Sequence, residues 1–170
     1  MKLALKIANV KSLDDARLAA SLGADYIELA VAKNSQYGVT PMEVQSVMQW
    51  IPNSVVLVQF IDYPNENLHE LANLLGLKWI SVDDESFNWQ DFKIGVCGKG
   101  FLPQGKTELR LATFSCEQFA LQTDDVKTKS FVELETGLVL ELTTAAKGIS
   151  LNLEPSKNFE DYEMLLAKWR

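Results

Sequence analysis

Short apolar runs of strand length alternate along the chain with amphipathic stretches of helical period. Residues 3–8 (LALKIA) form the first run, and Ser12 followed by Asp15 marks a helix start. The serine hydroxyl can accept from a backbone N–H that the first helical turn leaves without a partner. Ala16, Ala19, Ala20 and Leu22 make the buried stripe of that helix, and Gly23 ends it by tolerating a left-handed backbone. Residues 26–31 are a second apolar strand. Thr40-Pro41-Met42-Glu43 is the strongest local signal in the sequence: a cap, a proline suited to the first helical position and a glutamate that closes a capping box. Val44, Val47, Met48 and Ile51 share one face of the helix that follows, which stops before Pro52. Residues 55–60 are continuously apolar, as a strand covered on both faces should be. A third helix is expected over 65–75, with Leu68, Leu71, Ala72 and Leu75 inward and Gly76 at its end, and a fourth strand over 79–82. This regular β-α order predicts a parallel sheet wound right-handedly.

The second half is less regular. Strands are expected over 92–97, 109–114, 131–134 and 149–153, a short helix over 116–122, and a weak helix or extra strand over 139–146. Residues 83–91 leave little chain between the fourth and fifth strands, where a parallel crossover wants a dozen residues or more. The stretch 98–106 (GKGFLPQGK) is too rich in glycine for a proper helix. Asn158 caps a final helix whose apolar side is Phe159, Tyr162, Leu165, Leu166 and Trp169. The expected fold is one α/β domain over 1–170, a shortened (β/α) TIM-type barrel with its helices eroded between strands 4 and 7. A full eightfold barrel usually takes ~250 residues, with ~200 near the lower bound, so a barrel of 170 residues implies lost pieces.

Composition narrows the partners. A net charge of −7 and a pI near 4.8 argue against a nucleic-acid or anionic-membrane surface. No apolar run approaches the ~18 residues needed to span a bilayer, and the apolar N-terminus, interrupted by Lys6 and Asn9, reads as a strand rather than a leader. Cys97 and Cys116 have no metal or redox spacing, which fits a reducing, cytoplasmic setting. No metal or cofactor is expected.

Three stretches carry a resemblance. Lys6-Ile7-Ala8-Asn9-Val10, then Asp14-Asp15-Ala16 and Leu22-Gly23-Ala24-Asp25-Tyr26-Ile27, resemble the opening of phosphoribosylanthranilate isomerase, an enzyme of tryptophan biosynthesis. The segment from Lys33 to Glu43 is similar to that family's loop ending in Ser-Pro-Glu, and residues 55–60 to its Val-Gly-Val-Phe strand. The resemblance implies an Amadori rearrangement in which an Asp protonates the ring oxygen and a Cys removes the C2′ proton, both at C-terminal ends of strands. In this chain the position matching the Cys is Ala8, and the one matching the Asp reads as Ala112. The family's Arg after strand two appears as Gln36 or Tyr37, and its His-Gly pair as Asp83-Asp84. Its Gly-Gly phosphate turn keeps only Gly137, and its Ser-Ser-Gly gives way to residues around Asn152, Leu153 and Glu154. Alanine can neither take nor give a proton, and one lost acid–base group typically costs ~10²–10⁴ in rate. The expectation is therefore a catalytically inactive relative that binds a metabolite, regulates or contacts another protein. The alternative is an active isomerase of this or another sugar phosphate, with relocated acid and base.

Candidates for relocation are Cys97 and Asp83. Cys97 is expected at the end of strand five, where glycines could expose backbone N–H groups and Lys99 could lower the thiol pKa. The plainer reading makes it a buried small hydrophobe. Asp83, Asp84 and Glu85, with Asp62 and Glu28, could offer oxygen ligands to a divalent cation, although a solvated loop is the preferred reading. His69 is expected on the surface. Trp79, Trp89 and Phe87 fall where covering helices are missing; either they are core, or they line an exposed apolar patch, which makes a homodimer through that face a candidate assembly. A small phosphorylated metabolite is the candidate ligand.

Overall fold

The computed structural model describes residues 3–34, 36–86, 93–104, 110–133, 146–154 and 157–167. Eight parallel strands close into a barrel in chain order: β1 (Ala4–Val10), β2 (Tyr26–Ala32), β3 (Val55–Ile61), β4 (Trp79–Val82), β5 (Gly95–Lys99), β6 (Arg110–Phe114), β7 (Ser130–Glu133) and β8 (Gly148–Asn152), with β8 paired back to β1. All eight expected strands form, within a few residues of their sequence boundaries. The short connection after β4 does not break the order: β5 starts at Gly95 and pairs parallel to β4.

The first three helices stand where the sequence puts them. In α1 (Leu13–Ser21), Ser12 Oγ accepts from the Asp15 N–H at 3.1 Å. In α2 (Pro41–Trp50), the N–H and hydroxyl of Thr40 both donate to Glu43 Oε2, at 2.9 and 2.8 Å. The α3 helix (Asn65–Leu75) ends at Gly76 with φ 65°, a left-handed turn that favours glycine. After β6 come two short helices, α4 (Cys116–Ala120) and α5 (Asp124–Lys127), the second of which the sequence did not suggest. The last helix, α6 (Phe159–Leu166), is capped by Asn158 and buries Tyr162 and Leu166. Among the described residues no helix lies between β4 and β6, while α4 and α5 fall between β6 and β7, within the stretch expected to be eroded. Gly137, Phe87, Trp89, Trp169 and most of 139–146 lie outside the described residues.

Strand residues alternate between two cores. Ile7, Ile27, Leu29, Val58, Ile80 and Ile149 point outward and pack against Ala16, Ala19, Val44, Val47, Ala72 and Leu166 of the helices. The alternate set points inward. Leu57, Cys97, Leu111 and Phe131 pack together inside the barrel with Ala4, Tyr26 and Trp79, and Tyr26 meets Phe131 edge to face with ring centroids 5.0 Å apart. Trp79 is thus an interior residue and does not contribute to an exposed apolar face. A Cβ on Gly95 would stand 2.2 Å from the Trp79 ring, so the glycine makes room for the indole.

Candidate functional site

Above the apolar layer, every strand places a polar side chain on its inward-facing series: Lys6, Glu28, Gln59, Ser81, Lys99, Thr113, Glu133 and Ser150 in order from β1 to β8, with Asn152 following Ser150 at the rim of β8. Lys6 and Glu28 are buried completely or nearly so. Lys6 Nζ stands 2.7 Å from Glu28 Oε2 and donates to Thr113 Oγ1 at 2.8 Å. Ser81 Oγ donates to the same carboxylate oxygen at 2.7 Å. Lys99, whose side chain is one-third exposed (33%), lies 2.8 Å from Glu28 Oε1 and donates to Gln59 Oε1 at 2.6 Å. Its contact with Glu28 is an ion pair. One carboxylate is therefore held between two ammonium groups.

The charges set each other's protonation. Burial alone would raise the Glu28 carboxyl, but the Lys6 and Lys99 ammonium groups outweigh it and hold the pKa at about 2. Burial likewise disfavours charge on Lys6, yet attraction to Glu28 keeps its pKa above the ordinary lysine value. Charged pairs of this kind persist in an interior only when geometry and extra hydrogen bonds offset their desolvation, and Ser81, Thr113 and Gln59 supply those bonds.

The sequence candidates fall as follows. Ala8 is on the inward series of β1 and almost fully buried. Ala112 points the other way, packing outside the barrel with Phe114, Phe119, Val132 and Ala146; the inward neighbour at the end of β6 is Thr113, the partner of Lys6. The assignment of Ala112 slipped by one residue, which in a strand moves a side chain to the opposite face. Cys97 is not at the strand end, because β5 runs on to Lys99. Its side chain is fully buried with Sγ 3.7 Å from Thr113 Oγ1, and burial pushes the thiol pKa up. The plainer reading of Cys97, a small interior hydrophobe, is the one its placement fits.

Asp83 and Asp84 line a cleft of about 290 Å³ at the C-terminal mouth together with Gln59, Asp62, Tyr63 and Ser81. Asp84 accepts from the Ser86 hydroxyl and N–H and from Asn65 Nδ2, which hold its pKa below the usual value. Glu28 does not join these carboxylates, being engaged by lysines inside the barrel. Among the described residues, no three His, Cys, Asp or Glu side chains converge as metal donors. His69 is exposed on α3, and Gln36 and Tyr37 are exposed in the loop after β2. Two non-glycine residues at the mouth take a left-handed backbone: Asn9, which follows Ala8 and donates its amide to the Leu153 carbonyl at 2.8 Å, and Asp62. The interior ring went unnoticed in the sequence because each polar residue sits singly inside a mostly apolar run. Reading alternate positions of all eight strands together would have found it.

No model of a protein family matches the sequence, and no curated protein matches it. Solved structures do. The phosphoribosyl anthranilate isomerase of Thermus thermophilus superposes with a TM-score of 0.67 at 16% identity, covering 99% of this chain and 100% of that one. A phosphoribosyl anthranilate isomerase solved with reduced 1-(O-carboxyphenylamino)-1-deoxyribulose 5-phosphate gives 0.64 at 12% identity, with 96% of each chain covered. KGPDC from Streptococcus mutans gives 0.55 at 13% identity over 99% of each chain. The chain has the fold of the phosphoribosylanthranilate isomerases. No helix of the described residues is long and apolar enough to cross a membrane.

Proposed function

We propose that this barrel does not catalyse the isomerisation and instead binds a small metabolite at its C-terminal mouth, in a cytoplasmic, regulatory or partner-directed role. The observation that carries the reading is the make-up of the inward strand ends, where β1 has Ala8 and β6 has Thr113. General acid–base work requires groups whose pKa lies near the operating pH. Glu28, held at about 2, does not take up a proton at neutral pH, and Lys6, held above its ordinary value, does not release one. Ala8 offers a methyl group where the resembled family has its base, and Thr113, an alcohol, is the inward residue at the end of β6. Cys97 lies sealed beneath this layer. The mouth cleft, near the lower end of volumes that hold small ligands, supports the binding half of the reading.

The test is turnover of phosphoribosylanthranilate by the purified protein at high concentration, followed by loss of anthranilate-type fluorescence. The expected result is no rate above buffer from a protein that circular dichroism shows to be folded. A rate of ~1 s⁻¹ or more, ordinary for an enzyme, would overturn the proposal and return attention to Asp83 at the rim.

A further inference from the structure

The groups that line the cleft at the ends of β3 and β4 are mostly hydrogen-bond acceptors. Asp62 and Asp83, both exposed, have no hydrogen-bond or ion-pair partner among the described residues. Ser81, only 4% exposed, donates its single proton to Glu28 Oε2 at 2.7 Å. Toward the cleft its oxygen can therefore only accept. Asn65 donates through Nδ2 to Asp84 and keeps its side-chain carbonyl oxygen as an acceptor. Gln59 is the reverse, because its Oε1 accepts from Lys99 and its Nε2 remains a donor. Phe60 and Tyr63, edge to face with ring centroids 5.5 Å apart, supply the apolar surface. A ligand that fills this cleft has to bring hydrogen-bond donors.

The surrounding charges decide which donors fit. Asp62, Asp83 and Asp84 line the cleft, and no lysine or arginine among the described residues does. Lys99, beside Gln59, is paired with Glu28. Lys33 stands over the Tyr63 ring at 5.2 Å, one positive charge against three negative. Asp84 is held by Ser86 and by Asn65 at the start of α3, where it offsets the positive end of that helix. A phosphate or carboxylate ligand would meet net repulsion. A compact divalent ion needs several oxygens converging on one point, and among the described residues no such set forms. An alkylammonium group asks for less, since three N–H donors can take acceptors that are spread along a cleft. We propose that the cleft binds a small aliphatic amine as its ammonium ion, with the carboxylates of Asp62 and Asp83 as counter-charges and Phe60 and Tyr63 beside its alkyl chain. The proposal rests on the mouth being a binding site, as above, and gives the chemistry of the ligand: a cation, in place of the phosphorylated metabolite expected from the sequence.

The probe is 1,4-diaminobutane, titrated into the ¹⁵N-labelled protein at neutral pH and followed by backbone chemical shifts. Its neutral isostere 1,4-butanediol, Mg²⁺ and inorganic phosphate are the comparisons. Saturable shifts centred on residues 59–63 and 81–84 are expected in the millimolar range, as suits a ligand of so few atoms at a solvated site. Asp62→Asn and Asp83→Asn should each weaken binding ~3–5-fold, and the double variant should abolish it. Both positions are exposed, so the fold should survive, which circular dichroism checks. Asp124→Asn with Asp125→Asn removes the same charge from exposed positions of α5 and should leave the affinity unchanged. The proposal is overturned by the absence of a saturable shift through high millimolar diamine, or by unchanged affinity in the double cleft variant. It is overturned equally by diol or phosphate binding as tightly, by Mg²⁺ giving the same shifts at lower concentration, or by an equal loss in the α5 variant, which would mean general attraction to an acidic protein. Turnover of phosphoribosylanthranilate with the diamine still bound would overturn the preceding reading alone, whereas no diamine binding and no turnover would overturn this one alone.

Discussion

The two faces of the same eight strands obey different rules. Outside the barrel, apolar side chains meet apolar helices, and any residue of similar size and shape would serve nearly as well. Inside, above the layer of Leu57, Leu111 and Phe131, the strands present lysines, glutamates, an amide and hydroxyls. Five of these polar residues, Lys6, Glu28, Ser81, Thr113 and Ser150, are as buried as the outer face, with Lys6 and Ile7, consecutive in β1, both at 0% exposure. The outer face tolerates change because its contacts are many and non-directional. The inner face does not, because each charge depends on one or two named partners. A barrel built only to stand could have been filled with aliphatic residues.

That contrast breaks most visibly at Glu28. Replacing it with glutamine keeps the shape but takes from Lys6 and Lys99 the carboxylate both of them contact. Removing one partner of a buried pair typically costs about 3–5 kcal/mol, so urea denaturation of Glu28→Gln should show a loss of that size. A loss below about 1 kcal/mol, ordinary for an exposed pair, would mean that water already screens the network and that the inner face is not dry.

Acid should act on the same group more gently. The folded pKa of Glu28 is depressed from 4.5 to about 2, so its contribution is fully present above 4.5 and is lost as pH falls through about 2. The depression corresponds to about 3 kcal/mol. Lys6 works in the opposite direction: its raised pKa gives stability that is complete below 10.5 and lost only in stronger alkali. The network is therefore at full strength across the neutral range. A carbon-detected titration of the Glu28 carboxyl should show a midpoint near 2, and a midpoint at 4 or above would remove the ion pairs from the account of the barrel.

How much of this was legible beforehand follows from the same two faces. The outer face writes itself into the sequence as runs such as residues 55–60 and as helix stripes such as Leu68, Ala72 and Leu75, all buried as expected. Local chemistry fixed the helix starts, since Ser12, Thr40 and Asn158 act within three residues of themselves. The inner face is made of contacts such as Lys6 to Thr113, more than a hundred positions apart, and nothing local announces them. Glu28 looked like one of several scattered acids until its neighbours in space were known. Ala112 was matched to the family's Asp, yet it packs outside the barrel while its neighbour Thr113 faces inward, because successive residues of a strand take opposite faces. The sequence left Trp79 open between core and exposed patch, and only its contacts inside the barrel decide for the core.

The smallest of these effects tests whether that inversion is understood. Thr113 and Ala112 are neighbours, both buried, on opposite faces of β6. Thr113→Val keeps the volume and branching of the side chain while removing the oxygen that accepts from Lys6 at 2.8 Å. Lys6 retains Glu28, so the network should survive with one charge-assisted bond fewer, a loss of about 2 kcal/mol against the larger one at Glu28. Ala112→Ser, the reciprocal change, puts a hydroxyl into the apolar cluster around Phe119 and Val132, with no interior partner to gain. Chemical denaturation of the pair, with crystallographic or NMR confirmation that the fold is kept, distinguishes the faces. Comparable losses with no change in the Glu28 titration would show that Thr113 serves only to fill space. A shift of the Glu28 midpoint upward in Thr113→Val alone would show that the hydroxyl, by holding Lys6 in place, helps keep that carboxylate charged.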